Sequence, residues 1–233
     1  MQAMQNTFDN PMTEVTAAEP EQKQQPLPKQ TQHAPRQPRE VSPVLEKLFE
    51  LHPNLFGAQF LPLKLGIFHD LLARHPDAFK KDELKLAMGQ HARSTRYLEC
   101  VAAGLDRHDL DGAAVEPVAP EHVHHAILEV FRRRQARSKD DLRPRLTMLL
   151  KQAIENSGLT LDDYAALVRV QDEATNALLD DALTALKLEA AKREALMGTF
   201  KASGKTEAEF ADMYGMDLKL VTRVLARVRA EQG

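Results

Sequence analysis

The stretch Ser94–Gly112, STRYLECVAAGLDRHDLDG, forces two reversals on the chain within a short span. Ser94 is a good N-cap residue, and Thr95 opens a first helical turn. Leu98, Val101 and Ala102 share one apolar face, and Gly104 stands where such a helix must stop. Asp111-Gly112 then supplies a strong hairpin signal. Arg96 and Tyr97 lie in the first turn, and Arg107 follows the helix on the way to the hairpin. A helix start offers N–H groups without intrahelical partners, and these favour phosphate. Arginine and tyrosine are common partners of phosphates and bases. The same residue types also describe an ordinary capped helix with surface arginines, so the surrounding chain has to decide.

That chain is punctuated in the same way. Ser42-Pro43 pairs an N-cap with a proline at the first helical position, and Val44, Leu45, Leu48, Phe49 and Leu51 recur at helical spacing up to His52-Pro53. An irregular piece is expected over Asn54–Leu61. The apolar run Leu63–Leu72 after Pro62 predicts a buried helix. Lys64 within it must snorkel to the surface or meet an anion. His75-Pro76 breaks the chain, and a further helix runs to about His91. Lys80 and Lys81 stand at its start, where the helix dipole prefers acids, and Asp82 and Glu83 compensate. Ala113–Val118 is a strand candidate folded back by the Asp-Gly turn. A long helix then spans Glu121 to about Arg137. His122, His124 and His125 do not share one face, and no cysteine or fitting carboxylate joins them, so no metal is expected. Arg132, Arg133, Arg134 and Arg137 suit the helix C-terminus and equally suit contact with nucleic acid.

Composition narrows the class. Cys100 is the only cysteine, so an internal disulfide and a cysteine-based zinc site are excluded, in keeping with a cytoplasmic protein. No apolar run approaches the roughly 20 residues of a membrane span, and no signal peptide is evident. Residues 1–40 are rich in Gln, Pro, Glu and Thr and are expected to be a disordered tail. Net charge is uneven: −1 over residues 1–40, +1 over 41–139 and −3 over 140–233. No nucleotide loop, placed nucleophile or metal set is present, so neither an enzyme nor a cofactor is expected.

Taken in order, these middle residues resemble the ProQ/FinO family of bacterial RNA chaperones. The resemblance rests on His52-Pro53 with Phe56, Pro62-Leu63-Lys64-Leu65-Gly66-Ile67 with Asp70-Leu71, Leu84 with Ala87, Ser94 with Arg96-Tyr97-Leu98, Arg107 with Asp109-Leu110-Asp111-Gly112, and Glu121-His122 with Ala126. It covers about residues 44–130. It implies a compact helical RNA-binding domain with one small β-hairpin and a concave basic face. Its implied ligand is structured RNA, typically a terminator-like hairpin with a 3′ single-stranded tail. Lys64, Arg96, Tyr97 and Arg107 match positions tied to RNA contact or to the integrity of that face, and Lys81 matches a basic position. Ser94 and Thr95 match the helix start that takes the RNA 3′ end. The chain departs from the family where His91 and Thr95 replace frequent aromatics and Ala92 replaces a small polar residue. Pro62, Gly66, Asp70 and Asp111-Gly112 read as structural.

Residues 140–233 carry no such motif but repeat themselves at an offset of 46 residues. Ile154–Thr160 runs against Phe200–Thr206, Asp163–Leu167 against Glu209–Met213, and Leu178-Leu179 against Val224-Leu225. The units, about 146–180 and 192–230, each read as helix, Ser-Gly break, capped helix, helix. Thr160 and Thr206 are N-caps with an acid three residues on. The second unit resembles a helix-turn-helix, with Ala211, a turn at Gly215, and Val221 and Val224 inward. Lys219, Thr222 and Arg223 would then face a DNA groove. The acidic charge of the region argues for a helical packing or partner-binding module instead, and Ala182–Leu196 suits self-association. The expected whole is a mostly α-helical RNA-binding domain over 41–139 followed by an α-helical repeat region. It would act on structured RNA after transcription. The alternatives are a DNA-binding regulator acting through the C-terminal unit, or a protein-interaction adaptor.

Overall fold

A computed structural model describes residues 42–57 and 59–232; the tail expected over 1–40 lies outside the described residues. Helix α1 spans Pro43–Leu51 behind Ser42, with proline in its first turn. A one-turn helix α2, Pro53–Phe56, occupies the start of the piece expected to be irregular, because Leu55 and Phe56 are pulled fully into the core. The helix expected from Leu63 begins only at Ile67 and runs to Arg74 as α3. The four residues before it are held extended or in a turn. Leu63 bridges to His108, the Lys64 amide donates to the His108 carbonyl at 2.9 Å, and the His108 amide donates to the Pro62 carbonyl at 2.7 Å. Gly66, at φ 81°, then turns the chain into the helix, a conformation costly for any other residue. Leu65 is consequently 63% exposed despite its place in an apolar run.

Helices α4, Lys81–Ala92, and α5, Thr95–Ala102, lead into a two-stranded antiparallel hairpin, β1 (Arg107–His108) and β2 (Ala114–Glu116). Its turn is held by Asp109, whose Oδ1 accepts from the amides of Asp111 and Ala113 at 2.9 and 3.0 Å, while Gly112 takes φ 79°. Helix α6 spans Pro120–Gln135, slightly shorter than expected. The segment up to Leu110 closes one core around Leu48, Leu55, Phe56, Leu71 and Leu84.

A second core runs from α5 and α6 into the C-terminal region, formed there by α7 (Arg143–Ser157), α8 (Leu161–Val168) and the first part of α9 (Glu173–Ser203). Val101, Ala126 and Ile127 meet Leu150, Ile154, Tyr164 and Leu179 within it. The third core joins the end of α9 to α10 (Glu207–Tyr214) and α11 (Leu218–Gln232) through Met197, Phe210, Val221 and Leu225. Elements recur at the 46-residue offset. Ser157 and Ser203 end helices at left-handed Gly158 and Gly204, Thr160 and Thr206 cap the next, and Tyr164 and Phe210 are fully buried. The last helix of the first unit and the first helix of the second are one continuous α9. Only Thr206 completes a capping box; Asp163 is one methylene shorter than Glu209 and binds the Thr160 hydroxyl instead.

Candidate nucleic-acid interface

Helix α5 begins as its sequence requires. The Ser94 hydroxyl accepts from the Tyr97 amide at 3.1 Å, and the Ser94 carbonyl accepts from the Leu98 amide. The first-turn amide of Thr95 has no intrahelical carbonyl to reach. Arg96 is exposed and lies over the Phe60 ring at 4.5 Å. Phe60 in turn stacks on His91, which also meets Phe56 and Tyr97 at centroid distances of 4.7 and 5.0 Å. His91 is 3% exposed, and its Nε2 has no hydrogen-bond partner. Burial, and then the charge of Arg96, lowers its pKa to about 4, so the ring is neutral and serves as an aromatic floor tile. Ala92 is exposed beside it.

Tyr97 and Arg107 converge on the backbone of one residue, Leu63. The Tyr97 hydroxyl accepts from the Leu63 amide at 3.1 Å, and Arg107 Nη1 donates to the Leu63 carbonyl at 3.0 Å. Arg107 also reaches His122 Nδ1 at 3.1 Å and Glu116 at 3.9 Å, and its side chain is only 11% exposed. Both residues thus hold the Pro62–Gly66 segment in place. Lys64 reaches the surface, as a lysine in an apolar run must, and its ammonium meets Asp70 at 2.9 Å. That hydrogen bond holds its pKa above the usual lysine value. Lys81, first residue of α4, is exposed, and no hydrogen bond, ion pair or ring contact joins it to the other candidates.

Of the arginine run of α6, one member stands at this face, where the sequence did not tie it to the start of α5. Arg133 Nη1 donates to the Arg93 carbonyl at 2.8 Å and to the Thr95 hydroxyl at 3.2 Å, while its Nε meets Glu129 at 2.8 Å. The i, i+4 pair Glu129–Arg133 was the visible signal. Two further arginines of the run are also committed to ties within the chain: Arg132 binds the Thr175 hydroxyl, and Arg134 meets Glu99 at 2.7 Å. His124 is buried against the Tyr164 hydroxyl at 3.2 Å, and burial lowers its pKa to about 4. Among the described residues no group of histidine, cysteine and carboxylate side chains is arranged to hold a metal ion. Cys100 is buried, with its thiol pushed up to about 12, which makes it inert at neutral pH.

The model of the ProQ/FINO family matches residues 38–143. That segment carries the Leu63 backbone with its two clamping side chains and the start of α5. Residues 38–143 are a ProQ/FinO family domain. The chain is 41% identical over 91 residues to the RNA chaperone ProQ of Shewanella pealeana, covering 37% of this chain and 43% of that protein. It is 41% identical over 87 residues to the RNA chaperone ProQ of Idiomarina loihiensis, with 36% and 42% covered. It thus spans less than half the length of these curated relatives. A crystal structure of a FinO-like RNA chaperone from Neisseria meningitidis MC58 is matched at 29% identity and a TM-score of 0.33, over 36% of this chain and 85% of that one. Among the described residues no helix is long and apolar enough to cross a membrane.

Proposed function

We propose that this protein is a cytoplasmic RNA chaperone that binds structured RNA through residues 41–139, takes the 3′ single-stranded tail of a terminator-like hairpin at the start of α5, and acts after transcription by stabilising RNA or promoting strand exchange and duplex formation. The observation that carries this reading is the Ser94-capped start of α5, where the Thr95 amide of the first turn lies beside Arg96 and Arg133, with Phe60, His91 and Phe56 as an aromatic floor. The terminal nucleotide's oxygens meet the Thr95 amide at the helix start, and the positive charge of Arg96 favours the RNA backbone. Lys64 and Lys81 extend the basic contact along the face. Tyr97 and Arg107 act by keeping the Leu63 backbone, and with it Lys64, in position. No cofactor enters.

The C-terminal repeat region serves as a protein-binding or self-association module. The corner between α10 and α11 exposes Met213, Tyr214, Leu218 and Leu220, residue types that a phosphate-lined groove does not reward. The Thr222 hydroxyl is occupied by Glu207 at 2.7 Å, which removes one of three groove-facing candidates. The test is a binding comparison of the full chain with a hairpin RNA bearing a 3′ U-tail and with a duplex DNA of equal length. RNA binding at least tenfold tighter is expected from base- and 2′-hydroxyl-dependent recognition. Equal binding, or preference for DNA, overturns the reading in favour of the C-terminal unit.

A further inference from the structure

A cleft of about 520 Å³ lies between the end of α5, the segment that leads from β2 into α6, and one face of α7. That size is ordinary for a small-ligand site. Val118 and Val123 line it from the ProQ/FinO domain, and both are buried in the core beneath. From α7 come Leu149, Gln152 and Asn156, at the spacing of one helical face. Gln152 and Asn156 stand one turn apart, and neither side chain makes a hydrogen bond to another described residue. Asp106 is the lining's one charged residue, and no cation joins it. The last carbonyls of α5 add the negative end of its dipole. The cleft therefore repels phosphate and attracts hydrogen-bond donors, while the two carboxamides offer donor and acceptor together.

The internal repeat shows that the carboxamides are not required by the helix itself. At the 46-residue offset, buried Ile154 and Tyr164 correspond to the apolar Phe200 and Phe210, but Gln152 and Asn156 correspond to Gly198 and Ala202. The scaffold is repeated and the polar pair is not. Paired carboxamides and a carboxylate match the amino edges of adenine and cytosine: Asn and Gln take adenine in two bonds, and a carboxylate accepts from the cytosine amine. We propose that this cleft binds an unpaired, amino-bearing base, adenine or cytosine, of the bound RNA, with Gln152 and Asn156 reading its edge and Asp106 accepting from its amine. Sugar and phosphate remain at the open mouth. The proposal rests on the RNA-binding reading above. The eight residues of α5 separate the cleft from the helix start by about 12 Å. A few nucleotides of single strand span that distance.

The test uses the full chain and two hairpin RNAs that differ only in the tail, one all uridine and one with adenosine in its hairpin-proximal half. Affinities are measured for the wild type and for Gln152→Ala/Asn156→Ala, with circular dichroism to check folding. Both positions are exposed on a helix, where alanine is well tolerated. The wild type is expected to favour the adenosine tail by about tenfold, the scale of one good base contact. The double variant loses that preference and keeps its affinity for the all-uridine tail. Equal wild-type affinities, or a preference that survives the double substitution, overturn the base-reading cleft while leaving the RNA reading intact. Failure of the wild type to bind either hairpin overturns the RNA reading itself.

Discussion

At Leu63 two side chains distant from it in sequence hold the two peptides that flank one residue, the Tyr97 hydroxyl accepting from its N–H and the Arg107 guanidinium donating to its carbonyl. Removing one grip leaves a buried polar group unpaired, which costs about 1–3 kcal/mol. Tyr97→Phe is therefore expected to lower stability in urea by that amount and to weaken RNA binding only through the displaced Lys64 segment. An unchanged urea midpoint would show that the hydroxyl faces RNA instead. Residue types alone left these two residues between contact and support. The long-range pairing, 34 and 44 residues away in sequence, ties both to the Leu63 backbone. His91 was legible as a departure from an aromatic but not as a buried neutral ring. Its folded pKa of about 4, like that of His124, lies below the ordinary histidine value. The unfolded chain thus binds more protons than the folded one between about pH 4 and 6.5, and stability falls as pH drops through that window. His91→Phe removes one such proton without removing a hydrogen bond, because Nε2 has no partner. Urea midpoints at pH 7 and pH 5 should differ less for this variant than for the wild type; an equal difference would mean that His91 does not contribute.

Among the elements, α5 was the most legible because its signals are local: a serine cap, an apolar face and a glycine stop lie within one short stretch. Ser94→Ala removes the bond to the Tyr97 amide and is expected to cost about 1 kcal/mol, with a matching loss of affinity for tailed RNA. Retained tail affinity at reduced stability would separate the cap from the binding site. The element least legible was the start of α3. Its apolar run fits a helix, yet the pairing of Pro62 and Lys64 with His108 holds the backbone extended, and hydrophobic spacing carries no record of a partner 44 residues away. The arginines of α6 show the same limit. As a run they suit nucleic acid, but Arg132 and Arg134 are tied to Thr175 and Glu99.

Across the whole molecule, the core does not stop where the charge balance changes. Ile127 and Ala126 of the ProQ/FinO domain are buried with Leu150, Tyr164 and Leu179 from beyond it. A fragment ending at residue 139 exposes that face, and it is expected to melt below the full chain and to associate through the uncovered side of α6. Calorimetry and sedimentation on both chains check this; an equally stable, monomeric fragment would show that the C-terminal helices add no support. The repeat was legible because it needs only self-comparison, whereas the sharing of α9 between its units was not. The account stands most directly on where the RNA end lies. A hairpin RNA with 4-thiouridine as its 3′-terminal nucleotide, irradiated on the full chain and mapped by mass spectrometry, should crosslink to residues at the start of α5, between Arg93 and Tyr97. Crosslinks concentrated on α11, around Lys219 and Arg223, would contradict it.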